Sequence, residues 1–67
     1  VELTTDNRRM FEIALKAERE AVRRYEERAR QADALGETAL KVRLEDIIVD
    51  ETGHAEEIDR ILTNWKS

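Results

Sequence analysis

Apolar residues recur along most of the chain in alternating steps of four and three, the spacing that marks one face of an α-helix. In the second half of the chain this stripe consists of Leu40, Leu44, Ile47, Glu51, His54, Ile58, Ile61 and Trp65. In the first half it consists of Phe11, Ala14, Glu18, Ala21, Tyr25, Arg28, Ala32 and Leu35. Flanking apolar positions widen both stripes to roughly three positions in seven, the width of a helix that packs in a bundle. The pattern predicts two amphipathic helices and no β-strand.

Gly36 divides the two predicted helices. The first helix is expected over about residues 5–34, and Gly36 suits the position just after a helix C-terminus. The turn then covers about residues 35–37, and the second helix about residues 38–65. Because so short a connection makes the helices antiparallel neighbours, the chain (residues 1–67) is predicted to be all-α, a single helical hairpin forming one domain.

The size of the chain indicates that the hairpin does not function alone. A chain of 67 residues without cysteine buries little of its own surface and has no disulfide to stabilise it. One hairpin covers only part of its two apolar stripes, whereas two hairpins packed as a four-helix bundle would bury both. We therefore expect a homodimer, a larger homo-oligomer, or pairing with the missing other half of a longer domain.

Charge narrows the range of partners. The formal net charge of −4 argues against nucleic acid or an anionic membrane as the main partner, because both require a basic surface. No apolar run approaches the ~20 residues of a transmembrane helix, and no signal peptide is visible. We expect a cytoplasmic protein that binds neither nucleic acid nor membrane.

Three residues capable of binding a metal interrupt the apolar stripes, namely Glu18 in the first helix and Glu51 and His54 in the second. If the turn is centred near position 35.5, Glu18 lies 17.5 residues before it, between the distances of Glu51 (15.5) and His54 (18.5) after it. In an antiparallel hairpin all three therefore lie at one level, within roughly 3 to 5 Å along the axis.

A carboxylate buried without a partner costs several kcal/mol, so something must compensate for Glu18 and Glu51. One candidate is a local ion pair, or a protonated Glu bonded to His54. The other is a metal, because Glu-x-x-His places both ligands on one helix face. A second hairpin would double the set to four carboxylates and two imidazoles, and four negative charges neutralise two divalent cations.

The stretch ALKAEREAVRRYEERARQADALGETALKVRLEDIIVDETGHAEEIDRIL resembles one half of a bacterioferritin-type, ferritin-like di-iron domain. In that family each half supplies a Glu on its first helix and a Glu-x-x-His on its second. Here these are Glu18, Glu51 and His54, with the 33-residue separation of Glu18 from Glu51 that the family's halves show. The resemblance covers roughly residues 10–62.

The resemblance implies roles for these residues and an activity. Glu18 would be a terminal carboxylate ligand, Glu51 would bridge two metals and His54 would complete each one, in a di-iron site shared between two hairpins. The implied activity is ferroxidation, the oxidation of Fe(II) by O₂ or peroxide, in iron storage or detoxification. Zinc and manganese remain open as alternative metals. Bacterioferritins bind haem through a methionine beside the bridging Glu, and because Thr52 stands there, no haem is expected.

Two alternatives remain open from the sequence. Some family members carry a tyrosine near the irons, so Tyr25 is a candidate for a redox role; the alternative is a core aromatic whose hydroxyl bonds a carboxylate. For the whole chain, the alternative to iron binding is a metal-free helical hairpin that acts as an oligomerisation or adaptor module. In that case Glu51 and His54 form a pair that merely sets the register of the helices.

Overall fold

The computed structural model describes residues 5–66, and side-chain surroundings from Asn7 onward. It contains two α-helices, α1 (Thr5–Ala34) and α2 (Thr38–Thr63), which lie side by side and antiparallel. The principal extents are 50 × 17 × 14 Å, those of one elongated hairpin. Within residues 5–66 there is no strand, so the predicted all-α hairpin is confirmed. No helix in this range is long and apolar enough to cross a membrane.

The turn between the helices has the hydrogen bonds of a Schellman motif. The backbone N–H of Glu37 donates to the carbonyl of Ala32 at 2.9 Å, and that of Gly36 donates to Asp33 at 3.1 Å. Gly36 has φ 72°, a left-handed conformation that costs glycine little because it has no Cβ. Lys41 Nζ also donates to Asp33 Oδ1 at 3.1 Å, which joins the two helices next to the turn.

Helix α2 ends two residues before the end expected from the periodicity, at Thr63 rather than about residue 65. The backbone N–H of Asn64 still donates to the carbonyl of Arg60 at 3.1 Å, as in an α-helix, and the side-chain amide of Asn64 donates to the same carbonyl at 3.0 Å. The next N–H, that of Trp65, donates instead to Leu62, three residues back, at 3.2 Å, so the α-helical pattern ends there. The chain therefore leaves the helix axis before Trp65. The indole packs against the ring of Phe11, with 5.9 Å between ring centroids, and closes the open end of the hairpin.

The core between the helices is small. Among the described residues its buried apolar side chains are Leu15, Ala32, Leu44 and Ala55. Several large apolar side chains remain exposed, namely Met10, Ile13, Leu35, Leu40, Val42, Val49 and Ile61. Three of these, Leu35, Leu40 and Ile61, belong to the stripes predicted from the sequence. These three residues mark an uncovered apolar side of the hairpin, which we call the open face; on α2 it follows the stripe from Leu40 to Trp65, apart from Leu44, which is buried against α1.

The opposite side of the hairpin is charged. An open groove there is lined by Arg19, Val22, Arg23, Thr52, Ala55, Glu56 and Asp59. Arg19 and Asp59 approach across it, with 3.8 Å between Nη2 and Oδ1. Helical periodicity places these residues away from the stripes, since Arg19 follows Glu18 and Thr52 follows Glu51 by about 100° of rotation. The metal-binding residue types in the stripes therefore lie on the other side of the hairpin from this groove.

Candidate metal centre

Glu18, Glu51 and His54 lie together at mid-height of the hairpin. Each residue offers one ligand atom, and these atoms all lie within 4.8 Å of one another. Nδ1 of His54 is 3.7 Å from Oε1 of Glu51. The structure thus brings together the three residues that the sequence placed at one level.

The helices set both the position and the exposure of this cluster. Glu51 and His54 are three residues apart on α2 and so share a face, while α1 presents Glu18 to that face from across the hairpin. Glu18 and Glu51 are both half-buried, whereas the side chain of His54 is 61% exposed. The cluster therefore begins between the helices and reaches the open face.

The two carboxylates are poorly satisfied when both are ionised. Oε2 of Glu18 is buried and has no hydrogen-bond partner among the described residues, because two carboxylates offer each other no donor. Protonation of one of the two carboxyl groups would supply the missing donor. The pKa of Glu18 is accordingly raised above its ordinary value of 4.5, first by a hydrogen bond with Glu51, then by burial and by the negative charge of Glu51; His54 partly opposes this.

The chain is similar to proteins of a known family. A family model described as the ferritin-like domain matches residues 2–67. The chain belongs to the ferritin-like domain family. No curated protein and no solved structure matches it. The ferritin-like resemblance seen in the sequence is confirmed at the level of the family, and the more specific likeness to bacterioferritins stays a prediction.

The donor set of this ferritin-like hairpin fits a transition metal. Two carboxylates and an imidazole suit iron, manganese and zinc, and a divalent cation would satisfy the orphaned oxygen of Glu18 without a proton. Three protein ligands leave a metal open to further ligands. Within the described residues, no second group of three His, Cys, Asp or Glu side chains converges in this way.

Tyr25 is less closely connected to the cluster than the three residues themselves. It is half-buried on α1, two turns from Glu18, or roughly 10 Å along the axis. In the part of the chain that the structure describes, its hydroxyl makes no hydrogen bond to a carboxylate. Neither of the roles considered for Tyr25 is therefore tested.

The periodicity of the sequence did not predict how exposed His54 is. One hairpin is expected to cover only part of its stripes, but the periodicity does not indicate which positions stay uncovered, and the imidazole is the most exposed member of the cluster. The width of the stripe does indicate that some positions stay exposed. The stripe occupies roughly three of every seven positions, and one neighbouring helix cannot cover them all. His54 lies on the part of the stripe that α1 does not cover.

Proposed function

We propose that the chain is an iron-binding, ferritin-like protein in which Glu18, Glu51 and His54 form half of a di-iron carboxylate site. Its substrate is Fe(II), which it oxidises as a ferroxidase in iron storage or detoxification. One observation supports the proposal most: the ligand atoms lie within 4.8 Å of one another around a buried oxygen that has no partner. Membership of the ferritin-like family favours iron over the other metals that such ligands accept.

A second hairpin completes the proposed site. One chain supplies two carboxylates and one imidazole, whereas two chains supply four carboxylates and two imidazoles, the ligand set of a di-metal bundle. Four negative charges balance two divalent cations, so the centre of the bundle is electrically neutral when the metals are bound. The partner is a second copy in a homodimer or larger assembly, or the other half of a longer domain.

The chain's own residues prepare the site for a cation. Glu18 has a raised pKa because its carboxyl lies beside that of Glu51, so a cation bound there and protonation of Glu18 exclude each other. Glu51 offers a ligand atom within 4.8 Å of those of Glu18 and His54 and would be the carboxylate that both metals share. His54 would supply an imidazole nitrogen at the open face. Fe(II) bound there supplies the electrons that reduce O₂ or peroxide.

Metal analysis of variants tests this assignment. The protein is loaded with Fe(II) without oxygen, freed of unbound metal and analysed for iron; we expect about one iron per chain, as a shared di-metal site requires. Glu51→Ala and His54→Ala should each lose most of this iron, because each removes a ligand from both metals. Glu57→Ala is the matched control, since Glu57 is an exposed carboxylate on the same helix outside the cluster, and should bind as the unchanged protein does.

Two results would overturn the proposal. One is protein that takes up no iron, zinc or manganese under these conditions. The other is equal loss of iron in Glu57→Ala and Glu51→Ala, which would indicate binding to surface carboxylates. On admission of air, the near-ultraviolet absorbance of ferric iron should rise faster with the unchanged protein than with His54→Ala, and equal rates would contradict a ferroxidase role.

A further inference from the structure

The apolar stripe of α2 is symmetrical about the metal-ligand cluster. The midpoint of Glu51 and His54 is also the midpoint of three pairs of apolar residues. These pairs, from the inside outward, are Ile47 and Ile58, Leu44 and Ile61, and Leu40 and Trp65. A two-fold axis through that midpoint, perpendicular to α2, would therefore bring each residue level with its counterpart on a second, antiparallel α2.

The two ends of the open face differ in shape. At the turn end, an open groove of about 290 Å³ is lined in part by Leu35, Leu40 and Leu44. Leu35 is 75% exposed and Leu40 45% exposed, so apolar surface is available there. At the other end, Trp65 stands beside Phe11, outside the end of α2. One end offers an apolar groove and the other a large aromatic side chain.

We infer that a second copy of the chain packs on the open face with α2 antiparallel to α2, so that Trp65 of each copy enters the leucine-lined groove of the other. The inference rests on the proposed function, because the shared metal site fixes the position of the two-fold axis. A tryptophan in an apolar groove is a common anchor of protein interfaces. An interface related by a two-fold axis uses the same surface on both copies, so this contact occurs twice.

Charge at the two ends favours this arrangement. Glu37 and Arg28 both line the groove at the turn, and Lys66 lies next to Trp65 at the opposite end of the hairpin. Arg28 lies on α1 further from the turn than Glu37, so Glu37 is the charge nearer in level to Lys66 of a second copy. In the antiparallel pairing Lys66 of one copy lies within roughly 3 Å, along the axis, of the level of Glu37 of the other. The groove on the opposite side of the hairpin is crossed by the contact between Arg19 and Asp59. The metal-ligand cluster reaches the open face, so a second copy that shares the metals packs on that side.

Sedimentation equilibrium of two matched variants tests the docking face, with chelator and again with Zn(II) as a redox-inert metal. Leu40→Asp should weaken dimerisation at least about tenfold, since it places a charge in the groove that receives Trp65. Val42→Asp is the control, because Val42 is similarly exposed on α2 but lies outside the stripe; its effect should stay within about twofold. Circular dichroism checks that both variants stay helical.

The opposite result overturns the inference. Equal effects of Leu40→Asp and Val42→Asp would exclude the groove as the docking site, and so would a chain that stays monomeric with and without Zn(II). Trp65 is the single tryptophan, so its fluorescence gives a second measurement. Its emission should shift to shorter wavelength as protein concentration rises through the dimer range, and a constant emission would contradict burial of the indole.

Disulfide trapping tests the antiparallel orientation without disturbing the apolar groove. The chain has no cysteine, so Glu37→Cys and Lys66→Cys each introduce a single thiol. We expect a disulfide-linked dimer when the two variants are mixed and oxidised, and little when either is oxidised alone, because like positions lie at opposite ends of the pair. Efficient linkage of Lys66→Cys to itself would indicate a parallel pair and overturn the inference.

These experiments separate the inference from the proposed function. If the variants behave as expected but no metal binds, the docking mode stands and the iron proposal fails. If iron binds through Glu51 and His54 while Leu40→Asp leaves dimerisation unchanged, the iron proposal stands and the docking mode fails.

Discussion

The contact between the carboxyl groups of Glu18 and Glu51 links the protonation of Glu18 to the stability of the fold. The carboxyl of Glu18 lies against that of Glu51, with one buried oxygen unpaired, and its pKa is raised for that reason. An acid whose pKa is higher in the folded than in the unfolded state binds its proton more tightly in the folded state. Its stabilising contribution is therefore complete below the ordinary pKa of 4.5 and is lost as the pH rises through the raised value.

The substitution Glu18→Gln tests this at the level of a single residue. Glutamine keeps the shape of the side chain, cannot ionise and can donate a hydrogen bond to Glu51. In the presence of chelator, we expect the variant to unfold at a higher temperature than the unchanged protein at neutral pH, and its stability to vary less as the pH rises above about 4.5. Thermal unfolding followed by circular dichroism measures both.

Glu57→Gln is the control for that experiment, since Glu57 is exposed and outside the cluster. It should leave the pH dependence unchanged. If Glu18→Gln were less stable than the unchanged protein at neutral pH without metal, the unfavourable contact between the two carboxylates would be disproved.

The two glycines of the chain have different roles in the helices and the turn. Gly36 adopts φ 72° after the end of α1, whereas Gly53 lies inside α2 with no positive φ. An added Cβ would meet nothing within 4 Å at either position. The effect of substitution is therefore set by backbone conformation and not by packing.

The same substitution should consequently have opposite effects at the two glycines. Gly36→Ala should destabilise the hairpin by about 1 kcal/mol, because a side chain disfavours the left-handed conformation. Gly53→Ala should stabilise it by about 0.5–1 kcal/mol, since alanine is the better helix former. Urea unfolding at one fixed protein concentration, with chelator, measures both; effects of the same sign would contradict this explanation of the turn.

The elements themselves could be predicted from the sequence because their signals are local. Helical spacing and a single left-handed glycine define α1, the turn and the start of α2. The end of α2 could not be placed to the residue, because Trp65 continues the helical spacing of apolar residues, whereas the N–H of Trp65 bonds the carbonyl of Leu62, three residues back. That Glu18 lies at the same height along the hairpin as Glu51 and His54 could be predicted by counting residues from the turn. The exposure of His54 could not, because it depends on what covers the open face.

At the scale of the whole molecule, the hairpin is long and thinly packed. Its buried apolar side chains among the described residues are few and two of them are alanines, so folding alone gains little hydrophobic stabilisation. Pairing two hairpins would cover the open face and complete the metal site in one step. Folding, assembly and metal binding are therefore expected to be linked, each making the others more favourable.

The most direct test of this linkage is native mass spectrometry after anaerobic loading with Fe(II), because it reports the number of chains and of metals in the same ion. We predict assemblies with an even number of chains that carry about one iron per chain, the composition of a di-metal site shared by two hairpins. His54→Ala should give assemblies without iron. Iron-free protein, or monomers that carry iron by themselves, would contradict the central claim that two hairpins build one di-iron site.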